Sequence, residues 1–240
     1  MPRMALLSVA LSAALAMAAS VAMAGIPDGG EPPTIAHVHL GHTLDGWSEA
    51  PGQRGLLATA EVEARIATEH AGYAVDGAAN ISVLKAHVGH VLHAVDPTAM
   101  ADGPGLGFGL HRAATEAAKH LRFAAESRDA SDNLRAAVPS LAAQGDDIAA
   151  RGAVIVVLAR QVLASRFADE AVALTLEISS LSQANTLALA EMGRTLTSTL
   201  AGESPPYATV EPRWLFDLVR QPSGDWQFKT PQNQGLPTGY

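Results

Sequence analysis

The chain of 240 residues contains no cysteine. No disulfide can form and no thiolate can hold a metal. Covalent c-type haem attachment, which needs Cys-x-x-Cys-His, and cysteine-held iron–sulfur clusters are therefore excluded. Packing alone must hold the fold. Aromatic residues are scarce at 5% and no basic block occurs, while the formal net charge is −8. An acidic chain of this kind argues against a nucleic-acid partner. Beyond the first 24 residues no apolar run nears the roughly 20 residues of a membrane span, and the longest, 153–159, suits a buried helix segment. Familiar catalytic signatures are missing too. There is no His-Glu-x-x-His, no Gly-x-Ser-x-Gly, and no Glu-x-x-His pair of the di-iron bundles. The glycine-rich stretch 101–109, ADGPGLGFG, lacks both dinucleotide spacing and a P-loop lysine, and reads as a connection between helices.

Residues 1–24 have the form of a signal peptide. Arg3 supplies a positive start, 6–19 is apolar and alanine-rich, and Ala22-Met23-Ala24 is a small-x-small cleavage site before Gly25. No twin arginine precedes the run, so the expectation is general secretion to a periplasmic or extracellular site, with any cofactor inserted after export. Residues 26–33, rich in glycine and proline, form a leader.

The rest divides into a helical bundle over 25–202 and a Pro/aromatic-rich tail over 203–240. Apolar residues at helical spacing predict helices over 55–76, 80–95 and 110–127. Two more are predicted over 146–167 and 169–200, and Pro139 is expected to kink or interrupt a further one capped at Asp129 or Ser131. Gly77 ends the first, Asn80 caps the second and Asp96-Pro97 stops it. Short loops favour antiparallel neighbours. In the tail, Trp214, Phe216 and Leu218 alternate, as do Trp226 and Phe228 across Pro222-Ser223-Gly224-Asp225, which predicts a β-hairpin. A lone hairpin is marginal in water, so its aromatic face should pack on the bundle. The fold class is thus mainly α, an antiparallel bundle of about five helices with a small C-terminal β-hairpin.

Chemistry concentrates in the histidines. Six of the nine fall in two runs, His37, His39 and His42 in AHVHLGH, and His87, His90 and His93 in KAHVGHVLHAVD. On a helix the second set lies within one arc of about 120°. Neighbours three apart have Cβ atoms roughly 5–6 Å apart. Either His87 with His90 or His90 with His93 can then share an ion, whereas His87 and His93 are about 9 Å apart along the axis. In the first run His37 and His39 face the same way if the chain is extended, and His39 and His42 pair if it is helical. His120, one turn after Glu116, is a further ligand, with Glu116 as the group that would orient its ring. His70 and His111 sit among charged neighbours and read as ordinary surface residues.

Neutral imidazole suits zinc, copper, nickel and iron. The expectation is that the two runs converge on one site in a periplasmic metal-binding protein, with His37, His39, His42, His87, His90, His93 and His120 as ligands. Non-covalent b-type haem with an electron-transfer role and a redox partner protein is the first reading, each run supplying one axial ligand. Lys85, Arg112, Lys119 or Arg122 would pair with the propionates. A bare copper or zinc ion is the alternative, and a structural module without cofactor the third.

Overall fold

The computed structural model describes residues 33–229. The expected signal peptide, all but the end of the leader, and residues 230–240 lie outside the described residues.

The first helix, α1 (Ile35–Leu44), is buried along its whole length from Ala36 to Thr43. A buried helix start must find acceptors for its free N–H groups. Asp129 accepts from Ile35 N at 2.7 Å and Ala36 N at 3.1 Å, and the Thr34 hydroxyl accepts from His37 N at 3.0 Å. After a 3-10 turn at Pro51–Gln53 come α2 (Leu56–Asp76) and α3 (Ile81–Val95). Gly77 ends α2, and the Asn80 side chain caps α3 by accepting from Ser82 N at 3.0 Å, as the sequence predicts. Then follow α4 (Leu110–Glu126), α5 (Asp132–Ala164) and α6 (Ala168–Ala201).

Pro139 does not divide α5, contrary to expectation. Proline removes one intrahelical N–H, but α5 buries Leu134, Val138 and Leu141 around that point. This burial outweighs the loss of one hydrogen bond, and a single 33-residue helix results.

Helices α5 and α6 are joined by three residues and run antiparallel. Asn133 near the start of α5 donates to Thr199 O near the end of α6, and Arg151 donates to Asn185 Oδ1 further along. Alanine sets how closely helices approach. Helix α2 buries Ala60, Ala64, Ala67, Ala71 and Ala74. At the α4–α5 contact a Cβ on Gly145 would stand 2.9 Å from Ala118 Cβ, so glycine is what fits there. Among the described residues no helix is long and apolar enough to cross a membrane.

The glycine-rich connection between α3 and α4 is organised by a residue the sequence reading passed over. Glu63 of α2 is fully buried and its carboxylate accepts from the backbone N–H of Leu106, Phe108 and Gly109 at 3.0–3.2 Å. Gly105 has φ of +139°, and a Cβ there would meet Glu63 Oε2 at 2.6 Å.

The tail forms one turn of helix, α7 (Pro212–Leu215), then strands β1 (Leu218–Arg220) and β2 (Trp226–Phe228). They pair antiparallel, Leu218 opposite Phe228 and Arg220 opposite Trp226. Trp214 therefore belongs to a helical turn and not to the first strand, because the chain must bend at Phe216 to bring Leu218 against α1. Val38 of α1 packs with Val210, Leu215 and Leu218, flanked by Trp214, Phe216, Trp226 and Phe228.

Replacing Glu63 with alanine should strand three buried N–H groups at a cost of about 3 kcal/mol or more. Thermal unfolding should then fall by roughly 6–12 °C. A melting temperature within a degree or so of wild type would show that the loop does not depend on this carboxylate.

Candidate metal centres

Because α1 is helical from Ile35, His39 and His42 lie one turn apart on one face. That face meets α4, which presents His120. All three rings are buried, at 0%, 3% and 1% exposure. His120 Nδ1 stands 3.2 Å from His39 Nδ1 and 3.1 Å from His42 Nδ1. Nitrogens on a tetrahedral zinc-sized ion, bound at 2.0–2.1 Å, are about 3.3 Å apart. Trp47, Phe123 and Trp226 surround the triad, with ring centroids 4.7 Å from His120, 5.2 Å from His39 and 5.0 Å from His39 respectively.

His42 Nε2 lies 2.5 Å from Leu215 O, so that nitrogen carries the proton and donates it. In neutral His42 the Nδ1 is then a lone pair. It can face His120 Nδ1 favourably only if His120 Nδ1 is an N–H. Then His39 Nδ1 must also be a lone pair, and one proton is shared between two acceptors. His39 Nε2 and His120 Nε2 are buried without a hydrogen-bond partner among the described residues. A cation at the centre of the three Nδ1 atoms would accept all three lone pairs. The His42–Leu215 bond has the form of the outer hydrogen bond that orients metal-bound histidine.

Burial keeps these rings neutral. It pushes His39 down to about 3, with help from neighbouring His42. It pushes His42 down to about 4 against the opposing pull of the Leu215 carbonyl. His120 is held well below the ordinary imidazole value by burial first, then by His42, His39 and Lys119.

A second triad combines the same parts. His87 and His90, one turn apart on α3, meet His70 of α2. His70 Nδ1 is 3.0 Å from His87 Nδ1 and 3.3 Å from His90 Nδ1. All three are half-buried. Exposed Tyr73 lies beside them, 5.5 Å from the His70 ring and 5.4 Å from the His87 ring, and donates its hydroxyl to Glu69 at 2.7 Å. Burial lowers the pKa of His70 and His90, and neighbouring histidines lower both further.

The two sequence runs therefore do not share one site. Each i, i+3 pair is completed by a single histidine from the helix packed beside it, so two triads form. His37 stands outside both, its Nε2 3.2 Å from Glu203 Oε2. Burial pushes Glu203 up, but hydrogen bonds from Ser131, Asn133 and His37 outweigh it and hold the carboxyl low. His93 is also outside, because its Nδ1 donates to Met100 O at 2.7 Å. Glu116 accepts from Lys119 at 3.2 Å, so it is not the group that orients His120. Lys85 donates to Leu163 O and Ser165 O at the end of α5, Arg112 pairs with Glu49 and Arg122 with Asp146. All four expected propionate partners are thus engaged within the protein. His70, read from its charged neighbours as a surface residue, belongs to a triad. Its signal lay in the α2–α3 turn at Gly77 and Asn80, which folds His70 back against His87.

No known family, curated protein or solved structure matches the chain.

Unfolded histidine takes up its proton near 6.5, whereas folded His39 and His42 resist until about 3 and 4. Below 6.5 the unfolded state binds more protons, so stability falls as pH falls. With three such groups the slope reaches at most about 4 kcal/mol per pH unit. For the metal-free chain, the urea midpoint should hold steady above about pH 7 and drop progressively from about pH 6.5 towards pH 4. His120→Leu should flatten that drop. A midpoint independent of pH across this window would count against neutral buried imidazoles.

Proposed function

We propose that the protein is an exported ion-binding protein whose buried triad, His39, His42 and His120, holds a copper or zinc ion. One observation carries this reading. His120 Nδ1 lies 3.2 and 3.1 Å from the Nδ1 atoms of buried His39 and His42, and with His42 Nε2 donating to Leu215 O, neutral rings have one proton to share across these contacts. A cation supplies what that arrangement lacks. Three neutral ligands do nothing to offset the ion's charge, and burial penalises each unit of it. Monovalent copper therefore costs less to desolvate here than zinc, and is the first choice. The surrounding rings of Trp47, Phe123 and Trp226 favour a holding or electron-carrying site over a catalytic one, which needs an open coordination position. Export rests on residues 1–24, and a partner that loads the ion or exchanges electrons with it is part of the proposal.

A b-type haem draws less support. Its axial ligands were to come one from each run, yet the two runs complete separate triads. The triad's rings and their aromatic neighbours are in mutual contact where a flat macrocycle would have to lie.

Protein purified from the export compartment should carry copper or zinc by elemental analysis and show no Soret band. His42→Ala and His120→Ala should each weaken binding at this site by at least about 100-fold, more than loss of an outer-shell partner. A Soret band abolished by His120→Ala would return the haem reading. Ion content that neither variant alters would sink both.

A further inference from the structure

We infer that His70, His87 and His90 form a second metal-ion site, independent of the buried triad, which takes up a divalent zinc or copper ion from solvent and leaves one coordination position open.

The geometry is local. Helices α2 and α3 form an antiparallel hairpin closed by residues 77–80, so all three ligands belong to one supersecondary unit. The turn geometry brings His70 level with His87 and His90. The two Nδ1–Nδ1 separations, 3.0 and 3.3 Å, match those of nitrogens on a single tetrahedral ion, about 3.3 Å. Hydrogen bonding alone serves the group poorly. His70 Nδ1 faces two other Nδ1 atoms, and a neutral ring offers there either one proton or one lone pair. Whichever it offers must be divided between two partners. A bound cation takes one lone pair from each ring.

Surroundings separate this site from the first. Its rings are half-buried, so water can fill the fourth position, as in zinc sites that keep a position open. Glu69 stands at the rim, and its negative charge favours positive charge at His70. Solvent and a nearby carboxylate reduce the cost of a divalent charge, which the buried triad cannot do. Exchange with solvent ions should also be faster here, since the one aromatic ring beside the ligands, Tyr73, is itself exposed.

Zinc titration of the metal-free protein at neutral pH, followed by calorimetry and elemental analysis, tests this directly. In a His120→Ala background, which disables the buried triad, the chain should bind one zinc ion at micromolar concentrations. Adding His87→Ala and His90→Ala should abolish that uptake. If the His120→Ala chain fails to fold, the comparison moves to the wild-type background. There, His87→Ala with His90→Ala should lower zinc uptake by one ion per chain while circular dichroism stays native. Cobalt(II) in the second site should change its visible spectrum when azide is added, because azide can enter the open position. No zinc uptake by folded His120→Ala protein, or uptake that survives loss of His87 and His90, overturns the site. A cobalt spectrum insensitive to azide overturns the open position. Failure here leaves the buried triad untouched, since its own variants are read separately.

Discussion

Three imidazoles pressed together in the interior between α1 and α4 impose the constraint on which the rest of this structure depends. They must be neutral, because burial penalises imidazolium, and their nitrogens must find partners, because burial penalises unpaired polar atoms. Every other face of α1 has to be covered for that interior to exist. The tail does this. Asp45 at the end of α1 accepts from Tyr207 Oη at 2.5 Å and from Val210 N at 2.8 Å. At the other end Glu203 holds His37 and is itself fixed by Ser131 and Asn133. Gly41, midway, admits the tail, since a Cβ there would lie 2.7 Å from Leu215 Cδ2 and 2.9 Å from Val210 Cγ2. The tail residue placed by that contact, Leu215, is the one whose carbonyl fixes the His42 tautomer. Closing the core and fixing the His42 tautomer are thus one structural event.

The second triad repeats the first with one variable changed. Both use an i, i+3 pair on one helix and a third ring from a packed neighbour, and in both the third ring's Nδ1 is central. What differs is burial. A dry site of neutral ligands favours low ionic charge and slow exchange, whereas a half-exposed site beside a carboxylate accepts a divalent ion and a water ligand. On the proposed reading, burial alone lets two sets of three histidines suit ions of different charge.

Much of the scaffold was legible in the sequence because its signals are local. The Asn80 cap, the Gly77 stop and the alanine periodicity of α2 each act within a few residues. Pro139 misled because its penalty is local while the burial that overrides it comes from other helices. The site was half legible. Spacing offers His39 with His42 if the first run is helical, and either His87 with His90 or His90 with His93 in the second, but nothing local says which helix packs beside each pair. His70 was missed for that reason, and His93 was overvalued because the Met100 carbonyl that satisfies it arrives from a loop. Glu63 went unnoticed because a buried glutamate that holds three backbone N–H groups looks, in sequence, like any charge on an amphipathic helix. The tail reads as a cap, and Trp226 makes it also a wall of the buried triad.

The composition explains why the meeting nitrogens are all Nδ1. Of the two ring nitrogens, Nδ1 lies nearer the backbone, so rings that meet through it must come from helices whose backbones approach closely. Bulky interfaces would hold the axes apart and leave only Nε2 within reach. Here α4 buries Ala113, Ala114, Ala117, Ala118 and Ala124, and α2 buries Ala60, Ala64, Ala67, Ala71 and Ala74. Small side chains bring the axes together, and close axes bring the Nδ1 atoms together. The outer Nε2 is then free to be held by a group behind it, as Leu215 holds that of His42. The alanine that makes the chain look featureless is what lets the imidazoles meet. Enlarging those residues would disturb the triads by spreading the helices, even where no new side chain touches a histidine.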